Sequence, residues 1–190
     1  MLVTKPYNRA RAVEYARRWA LSRNPLFADF SGIGGNCTNF VSQCVLAGSC
    51  VMNYTPDFGW YFISLDDRAP AWSGVDFFYD FITGIPAFAE RNGGVGPFAK
   101  EVELTMGEPG DVIQLQNANG QWYHSLIITG FDGDVPLVSA QTNDVLDRPL
   151  SSYNFSAARC LQIEGVRLDI NDDRCYQVLL SGGVTDDNAE

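Results

Sequence analysis

The chain has 190 residues, 46% hydrophobic and 19% charged, with a net charge of −10. That length suits one well-cored domain, and the composition is that of a globular protein in water. The acidity excludes a nucleic-acid binder, which needs a concentrated basic face, and disfavours docking on anionic membranes. No stretch has the length of a transmembrane helix, and the N-terminus lacks the apolar core of a signal peptide. The expectation is a cytoplasmic protein, or one exported after loss of a leader, with no membrane insertion and a single domain over residues 1–184. The acidic end "TDDNAE", residues 185–190, is expected to be a disordered tail.

From Asn8 to Ser22, Ala12, Val13, Ala16, Trp19 and Ala20 recur at helical spacing, and "NPLF" stops the helix because the residue before a proline avoids helical geometry. "GIGGNCTNFVSQC" then opens a second helix predicted over Cys37–Ala47 and ending at Gly48. "NYTPDFGWYFISLDDRAPAWSG" has no clean period and reads as a long structured loop, in which Trp60 and Trp72 are core candidates. Ser73 is the expected cap of a third helix through "GVDFFYDFITG".

The second half changes period. "GDVIQLQ" and "WYHSLIITGF" read as strands joined by "NANGQ", whose Asn119-Gly120 is a hairpin signal. "VPLVSAQT", "RCLQIEGVRL" and "RCYQVLLSGG" read as three more strands. Helices followed by an antiparallel sheet make an α+β domain.

The chemistry centres on Cys37. It stands at the predicted first turn of the second helix, where the dipole and unpaired N–H groups favour a thiolate and can receive an oxyanion. Gly34 and Gly35, just before it, permit close approach of a substrate. A base is needed, and His124 is the one histidine in the chain; strand alternation puts it on a face with Leu126 and Ile128, opposite Tyr123, Ser125 and Ile127. The five cysteines, Cys37, Cys44, Cys50, Cys160 and Cys175, have no metal-binding spacing, so neither metal nor cofactor is expected. Cys44–Cys50 and Cys160–Cys175 are possible disulfides in an exported protein; buried thiols are the favoured reading.

The segments "YNRARAVEYARRWA", "GGNCTNFVSQC", "MNY", "GWY", "GDVIQL", "HSLIIT" and "DRPLSSY" together resemble the "putative amidase domain" family of bacteria. That family is grouped with the papain-like cysteine hydrolases, beside the NlpC-type and CHAP cell-wall enzymes. The resemblance implies a papain-like fold with N-terminal helices packed on the sheet. It also implies Cys37 as nucleophile, His124 as general base and acid, and an amide substrate in peptidoglycan or its peptide fragments. Papain-like enzymes place a third residue, which orients the histidine, on the next strand; here that strand ends in "VSAQTND". The family usually carries histidine where this chain has Gln141, so Gln141 is the first candidate, followed by Asp144 and Asn143. Glutamine can hold the ring's tautomer but cannot stabilise an imidazolium as a carboxylate does.

Four residues are candidates for contacting substrate: Asn36, Asn39, Trp122 and Asn143. Asn36, where the family often has aspartate, reads also as a helix cap, and Asn39 as part of a polar network. Trp122, two residues before His124, is expected on the same strand face. Arg148 is a candidate partner for a substrate carboxylate or for an internal ion pair. Two other functions compete with hydrolysis: a papain-like binding module without useful turnover, and an acyltransferase using the same Cys-His pair.

Overall fold

A computed structural model describes residues 2–168 and 175–183; the predicted acidic tail lies outside the described residues. Strand β1 (Val3–Lys5) leads into helix α1 (Arg9–Trp19), which buries Ala12, Tyr15, Ala16 and Trp19 along one stripe. Asn8 caps it, its side-chain oxygen accepting from Arg11 N at 3.1 Å. Helix α2 (Cys37–Ser49) is buried along its whole length, its polar residues included. It runs through Gly48, where the sequence suggests a stop, and ends at Cys50 with a left-handed φ of 53°. Gly48 serves close packing instead: a Cβ there would sit 2.3 Å from the Tyr7 ring and 2.9 Å from Asn8 O. The end of α2 thus lies directly against the start of α1.

The long central loop is ordered by bridges Asn53–Trp60 and Phe62–Arg68. Trp60 and Trp72 are fully buried, with ring centroids 5.1 Å apart. Short helix α3 (Pro70–Ser73) precedes α4 (Val75–Ile82), whose capping position is Gly74. Ser73 belongs to α3, its hydroxyl accepting from Arg68 Nε rather than capping α4. Helix α5 (Pro86–Asn92) follows, with proline in its first turn and Gly93 at φ 69° closing it.

Six further strands complete an antiparallel sheet: β2 (Gly96–Val102), β3 (Val112–Gln116), β4 (Trp122–Asp132), β5 (Val135–Ala140), β6 (Val145–Pro149) and β7 (Ala157–Leu168). β7 is the spine. It pairs with β2 along one edge and, end to end along the other, with β3 and β1; Val166 faces both Lys5 and Pro97. From β3 the sheet continues through β4 and β5 to β6. The fold is therefore α+β, as the order of elements in the sequence predicts.

The last predicted strand, "RCYQVLLSGG", is instead helix α6 (Cys175–Ser181), which buries Tyr176 and Leu179 at a spacing of three. Its first residue forms a disulfide with Cys50 (Cα–Cα 5.7 Å), so neither pairing suggested by proximity in sequence is made. Cys37, Cys44 and Cys160 are free.

One apolar core fills the space between the helices and the sheet face carrying Val112, Ile127 and Leu161. A second, smaller one covers the other face, around Ile113, Leu115, Leu126, Ile128, Val138 and Leu150. Among the described residues no helix is long and apolar enough to cross a membrane.

Candidate functional site

Cys37 is the first residue of α2, and its neighbour Thr38 reaches the sheet: Thr38 Oγ1 lies 2.9 Å from Ser125 Oγ, both residues fully buried. Ser125 follows His124 in β4, so this hydroxyl pair, supported by a bond from Gln114 Nε2 to Ser125 Oγ at 3.2 Å, fastens the Cys37 end of α2 beside the His124 end of β4. A cavity of about 280 Å³ opens there, lined by Gly34, Gly35, Cys37, Tyr123, His124, Thr142, Asn143, Arg148 and Tyr153. Gly34 and Gly35 stand at φ 110° and 109°, a conformation L side chains rarely adopt, which leaves the wall before the thiol as bare backbone.

The backbone around the thiol is tightly held. Asn36 occupies the capping position of α2, yet its side chain makes no capping bond. Its oxygen accepts from Phe30 N at 2.9 Å and from Asn39 Nδ2 at 2.8 Å, and its amide nitrogen donates in a short bond to Gln141 Oε1. Asn36 N donates to Thr142 Oγ1 at 2.5 Å, and Thr142 is a β-branched residue at φ 94°. Such a residue persists at positive φ only where its surroundings over-determine it. No side chain among the described residues accepts from the first-turn N–H groups of α2, so the positive end of this buried helix stays open.

The base side is built differently. Tyr123 stacks against the imidazole of His124 with centroids 5.9 Å apart, and Tyr153 lies 6.0 Å away on another side. Tyr123 reaches the cavity because β4 carries a bulge: Leu115 pairs with His124, but Gln116 pairs with Trp122. The extra residue resets the alternation. Trp122 consequently lies on the opposite face from His124, with Arg159 Cζ 4.0 Å over its ring, and does not line the cavity. Among the described residues the imidazole forms no hydrogen bond. Burial, and secondarily the Arg148 guanidinium, push His124 down from 6.5 to about 4, so it is neutral near pH 7. Cys37 is 8% exposed, and its sulfur's contact is with Thr38 Oγ1 at 3.9 Å.

Of the residues singled out in the sequence, Gly34, Gly35, Cys37, His124, Asn143 and Arg148 meet at the cavity. The remaining candidates lie outside it. Gln141 is buried; both its N–H donors go to the end of α1, to Trp19 O at 2.8 Å and Ser22 O at 2.7 Å, and its oxygen accepts from Asn36. The Asp144 carboxylate is gripped by Arg23 at 2.8 and 3.1 Å. Asn39 is buried in a network with Ala28 O, Asn36 and Trp72 Nε1. The two positions at which the chain departs from its family resemblance, Asn36 and Gln141, therefore bond to each other, as a neutral pair. Sequence reasoning missed Tyr123, Thr142, Tyr153 and the Thr38–Ser125 bond. The tyrosines and Thr142 adjoin segments already singled out, but only the bulge and the fold bring them together.

Arg148 is tied to its own turn rather than to an internal ion pair. Its Nε donates to Ser152 Oγ at 2.7 Å and its Nη2 to Ser152 O at 3.0 Å, and it lies 4.1 Å over the Tyr153 ring. No described carboxylate pairs with it. Among the described residues no group of three or more His, Cys, Asp or Glu side chains is placed to hold a metal ion.

A sequence model of the family described as "Putative amidase domain" matches residues 6–163. The chain is also 33% identical over 171 residues to "Uncharacterized protein YhbB" of Bacillus subtilis (strain 168). That match covers 88% of this chain and 51% of the relative, so the chain spans about half the relative's length. No solved structure matches it. With more than half of its length under the family's model, the chain belongs to the putative amidase domain family, whose description points to amide hydrolysis.

Proposed function

We propose that this chain is a cysteine amidohydrolase of papain-like type, with Cys37 as nucleophile and His124 as general base and acid. The observation that carries the reading is the meeting of a thiol on the open end of a buried helix with the chain's one histidine in a single cavity. The Cys37 thiol passes its proton to the neutral imidazole as sulfur bonds to the amide carbon. The carbonyl oxygen becomes an oxyanion beside the first-turn N–H groups of α2. His124 then protonates the departing amine, the C–N bond breaks and a thioester remains. Water, deprotonated by His124, attacks the thioester; the acid leaves and the proton returns to sulfur. The substrate class is an amide of peptidoglycan or its peptide fragments, following the resemblance to cell-wall hydrolases.

Gln141 and Asp144 are engaged elsewhere, so in this reading the imidazole is oriented by Tyr123 and Tyr153 packing, with Asn143 as the remaining polar neighbour. The absence of an acceptor for the ring N–H among the described residues also supports the competing reading, a slow or inactive binding module. An acyltransferase would differ only in the nucleophile that resolves the thioester.

The test is the pH dependence of alkylation at Cys37 in the parent chain and in His124→Ala, followed by digestion of peptidoglycan fragments. Alkylation that is fast near neutral pH in the parent chain and slows when His124 is lost is expected. A thiol indifferent to His124 would overturn the pairing. A reactive pair that leaves every fragment intact would favour the binding module.

A further inference from the structure

Arg148 lies on β6, half-buried, at the wall of the cavity that holds Cys37 and His124. Two of its three guanidinium nitrogens are tied to Ser152, and its plane is set against the Tyr153 ring, so the group is held in place rather than waving from the surface. Beyond Ser152 it interacts with the Tyr153 hydroxyl, and no described carboxylate pairs with it. Nearby acidic groups are diverted from it. Asp147, the preceding residue, turns toward Arg17 with Oδ2 3.8 Å from Nε, and Asp144 and Asp29 are both taken by Arg23. In a chain with 23 acidic and 13 basic residues, a fixed cation on the wall of the cavity that holds the candidate nucleophile, with no described carboxylate bonded to it, is an unmet pairing.

We propose that Arg148 is an anion subsite of this cavity, selecting amide substrates that carry a carboxylate within one residue of the scissile bond. The inference rests on the reading of Cys37 as the reacting group and adds the substrate's charge to it. The distance limit comes from size: at about 280 Å³ the cavity is at the small end of ligand pockets, roughly 300–1,000 Å³, and seats about one residue beside the thiol. A bound carboxylate has a second consequence. It offsets the positive charge that works against protonation of His124, so an anionic substrate makes the imidazole a stronger base than it is in the empty cavity.

The isosteric pair iodoacetate and iodoacetamide tests this directly. Both alkylate the same Cys37 sulfur with loss of iodide, so the ratio of their rate constants cancels any change in thiol acidity. That ratio, normalised to a small free thiol, is expected to be raised in the parent chain. Arg148→Gln should lower it about tenfold, the worth of one charge-assisted hydrogen bond in a half-buried site. Arg148→Lys keeps the charge and should retain most of the preference. A measurement without variants runs in parallel: N-acetylglycine should protect the parent Cys37 from iodoacetamide, and N-acetylglycinamide should not. If Cys37 alkylates in a His124-dependent way but the ratio is the same in all three chains and the two protectants act alike, the subsite is wrong and the catalytic reading survives. If Cys37 reacts with neither reagent, the catalytic reading fails and the subsite with it.

Discussion

α1 and α2 each follow an asparagine, and the two asparagines do opposite things. Asn8, at the half-exposed start of α1, turns its side-chain oxygen onto Arg11 N and closes the helix end in the ordinary way. Asn36, almost wholly buried at the start of α2, turns its oxygen back to Phe30 N and Asn39 and its nitrogen to Gln141. The first helix end is stabilised; the second is left open while everything around it is fixed. A helix terminus that is buried, uncapped and rigidly supported is unfavourable for the fold alone, and it is what stabilisation of a developing negative charge requires. In the reading proposed above, the contrast separates an asparagine that serves stability from one that serves a site.

The sharpest way to break this comparison is the same change at both positions. Asn36→Asp removes the donor to Gln141 Oε1 and sets two oxygens against each other in a buried place, and should cost roughly 3 kcal/mol at neutral pH. Because the fold disfavours that carboxylate, its pKa is raised above the unfolded value. The deficit should therefore shrink as pH falls and the protonated acid can donate again. Asn8→Asp should be nearly neutral, since aspartate caps as well as asparagine. Equal costs in denaturant melts would erase the distinction.

Next in size is the imidazole of His124 in the cavity. Folded, it stays neutral down to about pH 4; unfolded, it protonates near 6.5. The unfolded chain takes up more protons between those values, so this contribution is complete above pH 6.5 and is lost as pH falls toward 4, by up to about 3 kcal/mol. His124→Gln does not have this loss. The stability of the parent relative to the variant should drop across that window, and a flat difference would mean the ring is solvated. Asn8→Ala should cost about 1 kcal/mol and leave alkylation at Cys37 unchanged, as befits a purely structural cap. Smallest is Asp144→Asn, below about 1 kcal/mol, because Asp144 and Arg23 pair with each side chain 32% exposed. A larger loss would show that this ion pair helps to hold the loop beside Thr142 and Asn143.

Local pattern made much of this molecule legible. α1, the start of α2, the β3–β4 hairpin, β5 and β7 follow from periodicity and from Asn119-Gly120, and the burial of Trp60 and Trp72 from their size. Edge elements were harder to read. β1 and β6 are three and five residues long and carry little alternation, and β2 begins in Gly-Pro, which reads as a turn. α5 announces itself only by a proline at its start and a glycine beyond its end. α6 misled because "CYQVLL" is rich in strand-favouring types, while a disulfide and contacts across the chain hold it as a helix.

At the site, Cys37 and His124 stood out because residue type and position in an element suffice to nominate a thiol and a base. Gln141 and Asn36 did not disclose their use, since a bond across 105 positions leaves no local trace. Trp122 was assigned to the wrong face for a single reason, the bulge at Tyr123.

That bulge sets the phase of the strand. Downstream of it, β4 counts its faces from the second core; upstream, the count is offset by one, so Trp122 and His124 belong to different sides although two positions apart. Removing one residue here would restore the regular ladder and leave Trp122 opposite Gln116, on the face it already occupies, because adjacent residues alternate. What would go is Tyr123, and with it the ring that lines the cavity beside His124. Among relatives of this chain, a one-residue gap or insertion at this point is therefore a change of cavity wall, and would alter which amides fit more abruptly than most substitutions.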